Sequence, residues 1–309
     1  MMVTAVVKKT SRRLFTAGSP IKAVAAAFVY RDDRAPSSEW ITAWQINGAR
    51  LHRLSIRVLR IENHRLFGDH VSFRASPNCG GELRARFLVF HYTAGRSAES
   101  SIESLCTRKP SGNASAHLVL SRDGRIVQLV PFDVVAWHAG TSHWNGLVGL
   151  NRASIGIELD NAGALDRVGD KFIAWFGSEY GAGDVMLAEH KHGGGTRPWH
   201  AYTEAQIERA LELAQLLVEH YGLEGVLGHE DIARGRKQDP GPAFPLEAIA
   251  SRALAVVRRR GALRERVAQN AAKKTSSARA TKTKETILTL KPTKKKTSAR
   301  KRSPQRLRR

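Results

Sequence analysis

From about Val71 onward the chain reads as folded, with short apolar runs punctuated by turn residues. "RFLVFHYTA" is a continuous apolar run rich in Val and Phe, the signature of a strand covered on both faces. "AHLVLSRDGRIVQLVP" places two apolar runs on either side of Asp123-Gly124, which predicts a hairpin. "SIGIELDN" predicts another strand, with Ile155, Ile157 and Leu159 on one face. "TEAQIERALELAQLLVEHYG" changes the period. Ile207, Leu211, Ala214, Leu217 and Val218 form a helical stripe, Thr203 and Gln206 have the spacing of a capping box, and Gly222 stops the helix. "PLEAIASRALAVVRRR" predicts a further helix. Strands mixed with helices, including a hairpin, imply an α/β (α+β) fold with a mixed central sheet flanked by helices.

The pattern also sets boundaries. Residues 66–260 read as one domain, interrupted at 164–200 by a polar, Gly-rich stretch ("HKHGGGTRP") that predicts a surface loop insertion. Residues 1–65 read as a poorly defined extension. Its "KKTSRRLF" followed by "IKAVAAAFVY" resembles a weak twin-arginine export signal, but "GSPIK" interrupts the apolar run and no clear cleavage site follows.

Charge separates the tail from the body. Lys and Arg number 50 against 28 Asp and Glu, a net +22, of which residues 258–309 carry +18. A tail over 261–309 with so little to bury is expected to be disordered. Its charge suits polyanions (nucleic acid, lipopolysaccharide, teichoic acid, anionic phospholipid), although it offers no aromatic platform for bases. The near-neutral body argues against nucleic-acid binding as the main function. Two cysteines, Cys79 and Cys106, exclude a disulfide framework and a cysteine-rich zinc site. No apolar stretch reaches the length of a transmembrane helix.

Candidate chemistry gathers where apolar runs end. His91 closes "FLVF", His229 follows "GVLG", and Asp239 comes ten residues later. Two imidazoles and one carboxylate suit zinc with one position left open, provided the two strand ends are neighbours. Gly235 allows a tight path between His229 and Asp239, and Pro240 and Pro242 stiffen the exit. His190 and His192 read better as a polar flexible loop than as a second metal site, and His117 as a core or cleft residue.

Four segments in order, "FLVFHYTAG", "SAHLVLSRDGRIVQLVPFDVVAWHAG", "NRASIGIELDNAG" and "GHEDIARGRKQDPGPAFP", resemble the motifs of the type 2 N-acetylmuramoyl-L-alanine amidases, whose fold is shared with peptidoglycan recognition proteins. The resemblance spans about residues 73–244. It implies one Zn2+ per chain in a surface cleft, held by His91, His229 and Asp239, with Glu158 as general base and Lys237 stabilising the oxyanion. It implies hydrolysis of the bond between N-acetylmuramic acid and L-alanine in peptidoglycan or muropeptides. Trp137, His138, Tyr92, Thr93 and Asn161 are expected to bind substrate, and the protein is expected to be a monomer. The location expected is the bacterial periplasm or envelope, or the cytoplasm. A catalytically silent peptidoglycan-binding module is the alternative, and loss of the zinc ligands would mark it; here all three are present.

Overall fold

The computed structural model describes residues 59–110 and 112–255 in full, the backbone of 28–30, 40–47 and 50–57, and residue 269. A six-stranded sheet organises the body. Its strands are β1 (Val71–Phe73), β2 (Phe87–Tyr92), β3 (Leu118–Leu120), β4 (Ile126–Gln128), β5 (Ser154–Leu159) and β6 (Gly225–Gly228). They lie in the order β6-β2-β5-β3-β4-β1. Only the β3–β4 hairpin is antiparallel, so the mixed sheet is as the sequence predicts.

Alternation along the strands explains the continuous apolar runs. Leu88, Phe90, Ile155, Ile157 and Leu159 face one way, and pack with helix α2 (Glu204–Tyr221) and the helix 246–255 in the main core. Phe87 and Val89 face the other way, against Ala139, Leu150 and Ile232. Val119 packs there with Ala98 and Ile102 of helix α1 (Ala98–Leu105). Both faces are covered, so neither needs polar residues.

The capping box of α2 forms as predicted: Gln206 N donates to Thr203 Oγ1 at 3.1 Å, and Gly222 ends the helix at φ 65°. The buried stripe is rotated from the predicted one. It centres on Ala210, Leu213, Ala214, Leu217 and Val218, with Ile207 and Leu211 at its margin. Gln206 accounts for the shift. It is fully buried, and its Nε2 donates to the Asp160 carbonyl at 2.9 Å, so this polar residue sits on the inner face.

Two boundaries differ from the sequence reading. Structure begins before residue 66. Phe28–Tyr30, Trp40–Asn47 and Arg50–Arg57 form an antiparallel sheet, and Arg60–Glu62 pairs with Arg65–Phe67. Leu59 and Leu66 belong to the main core. The turn between the latter pair uses Asn63 and His64 at φ 47° and 60°, a left-handed turn without the usual glycine. Asn47-Gly48, between two alternating runs, is a hairpin signal in the sequence. The 164–200 insertion is ordered. Asp166–Val168, Lys171–Ile173 and Glu179–Tyr180 make one small sheet, and Val185–Glu189 pairs with Thr196–His200. The export-signal motif and nearly all of the basic tail lie outside the described residues. Both cysteines are free thiols, and no described helix is long and apolar enough to cross a membrane.

Candidate metal centre

The strand order answers whether the two strand ends are neighbours. β6 lies beside β2 in parallel, with Gly228 opposite Phe90, so the residues that follow, His229 and His91, emerge together. On the other side β5 pairs Glu158 with His91, so Glu158 lies on the same face in the same row. Asp239 returns to this point through the loop after helix α3 (His229–Ile232), where Gly235 takes φ 76°. The return is fastened by Glu230 N donating to the Asp239 carbonyl at 2.8 Å.

Three donor atoms face one another. His91 Nδ1 lies 2.9 Å from His229 Nδ1, and Asp239 Oδ2 is 3.1 Å from the former and 2.9 Å from the latter. All three residues are buried. The remaining ring nitrogens decide where protons sit. His229 Nε2 is 3.1 Å from the Ala139 carbonyl, which can only accept, so Nε2 carries the hydrogen and Nδ1 presents a lone pair. His91 Nε2 lies 2.9 Å from His138 Nδ1. His138 Nε2 in turn donates to the Ser154 carbonyl at 3.2 Å.

Electrostatics agree. Burial, then His229, pushes the His91 imidazole down to about 4, so it is neutral at pH 7. Burial pushes the Asp239 carboxyl up, but its closeness to His229 and His91 turns the balance the other way and holds the group well below the carboxylate range, a direction that calls for positive charge among these three atoms. Two imidazole lone pairs and a carboxylate converging in a buried spot repel each other unless a cation sits among them. The residues present therefore fit a divalent metal, and the N,N,O donor set fits zinc. Among the described residues this is the one group of His, Cys, Asp and Glu side chains close enough to hold an ion.

Glu158 is partly buried, and its Oε2 is inaccessible and has no hydrogen-bond partner. Burial, then Asp239, raises its carboxyl well above the ordinary value, while Lys237 opposes the rise. Lys237 is partly buried on the same loop as Asp239, and its charge is felt at both Glu158 and His91. A cleft of about 230 Å³ opens beside Glu158, bordered by Thr93, Gly95, Ser101 and Trp175. Trp175 comes from the insertion, is 75% exposed, and is held by its Nε1 donating to the Ala94 carbonyl at 2.9 Å.

The other residues expected to bind substrate divide. Thr93 borders the cleft; Tyr92 and Trp137 are partly buried and are not among its lining residues, Tyr92 lying against Gly163 and Trp137 packing on the main core. Asn161 is buried and ties the end of β5 to the insertion, its Nδ2 donating to the His200 carbonyl at 2.9 Å. His138 departs from its expected place on the cleft wall: it is buried beneath the site, with both ring nitrogens bonded inside the protein. His190 and His192 are not in a flexible loop. His190 Nε2 lies 2.5 Å from Glu230 Oε2, and Lys191 reaches Glu230 and Asp231 at 2.8 and 2.6 Å, so the insertion grips the helix that begins at His229. Trp175 and this grip escaped the sequence reading, because an insertion carries no motif that says what it touches.

Buried neutral imidazoles make the metal-free protein acid-sensitive. Burial pushes His91 and His117 down to about 4, and His138 well below its usual value. Each stays neutral in the fold but gains a proton in the unfolded chain below ~6.5, so its contribution is complete above that pH and shrinks as pH falls below it, that of His91 and His117 being lost by about 4. Each group contributes up to ~1.4 kcal/mol per pH unit across that window. Urea melts of the chelated protein should therefore show stability falling steeply between pH 6.5 and 4. A flat profile would refute the placement of these rings.

The sequence matches the N-acetylmuramoyl-L-alanine amidase family over residues 81–242, and the chain belongs to that family. Over 176 residues it is 35% identical to the N-acetylmuramoyl-L-alanine amidase AmiD of Escherichia coli K12, a match covering 55% of this chain and 54% of that one. Over 132 residues it is 36% identical to the 1,6-anhydro-N-acetylmuramyl-L-alanine amidase AmpD of the same organism, covering 42% and 53%. The chain thus spans about half the length of the curated relatives it matches. A solved structure of E. coli AmiD with anhydro-N-acetylmuramic acid-L-Ala-D-gamma-Glu-L-Lys aligns with TM-score 0.41 at 29% identity, over 63% of this chain and 65% of that one.

Proposed function

We propose that this protein is a zinc amidase that cleaves the bond between the lactyl group of N-acetylmuramic acid and the L-alanine of the stem peptide, in peptidoglycan or its muropeptide fragments. One observation carries the reading: inside the family-matching segment, three buried donors converge beside a carboxyl whose Oε2 has no partner. Membership of the family, and relatives whose names describe muramyl-L-alanine amidases, support the substrate class.

His91 Nδ1, His229 Nδ1 and Asp239 Oδ2 would hold the ion. Zinc bound there supplies Lewis acidity, which polarises a carbonyl and brings the pKa of water to ~7. The remaining work falls to the chain. The Glu158 carboxylate takes the proton of the attacking water and delivers it to the alanine nitrogen as that nitrogen leaves. Burial disfavours its ionised form, Lys237 opposes that only in part, and a cation held by the three donors would favour the carboxylate further. The Lys237 ammonium also stabilises negative charge on the carbonyl oxygen at the tetrahedral stage. Thr93 and Trp175 border the cleft through which the substrate reaches Glu158. The basic segment 258–309 belongs to the same reading as a contact to anionic envelope polymers.

The test is digestion of purified sacculi and of anhydro-muropeptides by the zinc-loaded chain, with products identified by mass. Free stem peptide beginning at L-alanine is the expected product, and the arm in which it forms identifies the physiological substrate. Both substrates returned intact would overturn the reading.

A further inference from the structure

The loop between Trp137 and Gly140 touches both imidazoles of the metal centre, from below. The His138 ring receives His91 Nε2 at 2.9 Å, and the next residue offers its carbonyl to His229 Nε2 at 3.1 Å. Asn151 pins this loop, its Oδ1 accepting from His138 N at 3.0 Å and Ala139 N at 2.7 Å. Arg236 Nη2 adds a donor to the Ala139 carbonyl at 3.0 Å.

The space for His138 is built into the sheet. A Cβ on Gly156 of β5 would lie 2.4–2.7 Å from its ring atoms, so only glycine lets the imidazole lie flat over the strand next to His91. Its far nitrogen is fixed by the Ser154 carbonyl two residues earlier on the same strand. A carbonyl accepts only, so His138 Nε2 bears the hydrogen and its Nδ1 must accept. His91 Nε2 must then donate, which leaves His91 Nδ1 bare and aimed at His229 and Asp239.

We propose that His138 is a positioning residue that dictates the tautomer of His91: a relay from the Ser154 carbonyl through His138 forces the metal-facing nitrogen of His91 to present a lone pair. Resting on the zinc reading above, this adds a residue that touches neither ion nor substrate and prepares a ligand for both. Partners of this kind orient metal-binding histidines and raise their basicity.

Two variants isolate the Nδ1 acceptor. His138→Phe keeps a ring of similar size and removes the acceptor. His138→Asn places an amide oxygen where Nδ1 stood while giving up the bond to Ser154. Zinc affinity measured by chelator competition should weaken about 10–100-fold in His138→Phe, and His138→Asn should recover most of that loss. Nitrogen NMR of the metal-free wild type should show His91 as the Nε2–H tautomer; in His138→Phe it should become a mixture. Equal zinc affinity in His138→Phe and wild type, equal loss in both variants, or an Nδ1–H His91 in the wild type would each overturn the proposal. A wild type that takes up no zinc would instead overturn the proposed function. The tautomer is read on metal-free wild-type protein, so it decides the inference even if a variant fails to fold.

Discussion

Glu158→Gln lowers the rate of muropeptide hydrolysis about 10²–10⁴-fold, the usual contribution of a general base, while zinc content and substrate affinity stay near wild type. The amide keeps the size and strand position of the carboxyl and cannot take a proton. The prediction rests on a carboxyl set beside His91 in the strand register, with an oxygen that no hydrogen-bond partner claims. A structural glutamate would be bonded within the fold, and removing its charge would show in the melting curve rather than in turnover. The measurements are single-turnover rates, equilibrium binding of an uncleaved analogue, and metal analysis on one preparation. A variant as fast as wild type would remove Glu158 from the mechanism and require another base.

Asp239→Ala has the second large effect. It removes the one negative charge between two neutral imidazoles, so zinc content should fall from about one per chain to near zero and activity with it. Alanine at His91 or His229 should do the same. The metal-free Asp239→Ala protein is also informative. Deleting the carboxylate leaves His91 Nδ1 and His229 Nδ1 facing one another at 2.9 Å while their far nitrogens keep the bonds to His138 and Ala139. Metal analysis after dialysis against trace zinc checks the first claim. Full activity in zinc-free wild type would defeat the whole scheme.

What the sequence made legible follows from the range of each signal. His91 and His229 were found because each terminates an apolar run, and a run is a local pattern. Their adjacency is a property of strand order, which places β6 against β2 although 138 residues separate the two rings; no local pattern encodes it, and only the resemblance of motifs supplied it. Glu158 was legible as a residue type but not in its environment, since burial and the absence of a partner are set by three strands at once. His138 stood in a matching motif and was expected on the cleft wall. Its burial depends on the missing Cβ of Gly156, a single residue on β5 and distant in sequence. The insertion failed for a different reason: its strands are two to five residues long, too short for periodicity to show.

The wide separation of the ligands has a consequence for biosynthesis. His91 and Asp239 are 148 residues apart, and the second imidazole is only ten residues before the carboxylate. A growing chain therefore carries one of the three donors for 138 residues before the second is added, and the third follows ten residues later. In the proposed zinc amidase the donors meet only once β6 lies beside β2, so metal uptake would report that the sheet has closed in its final order.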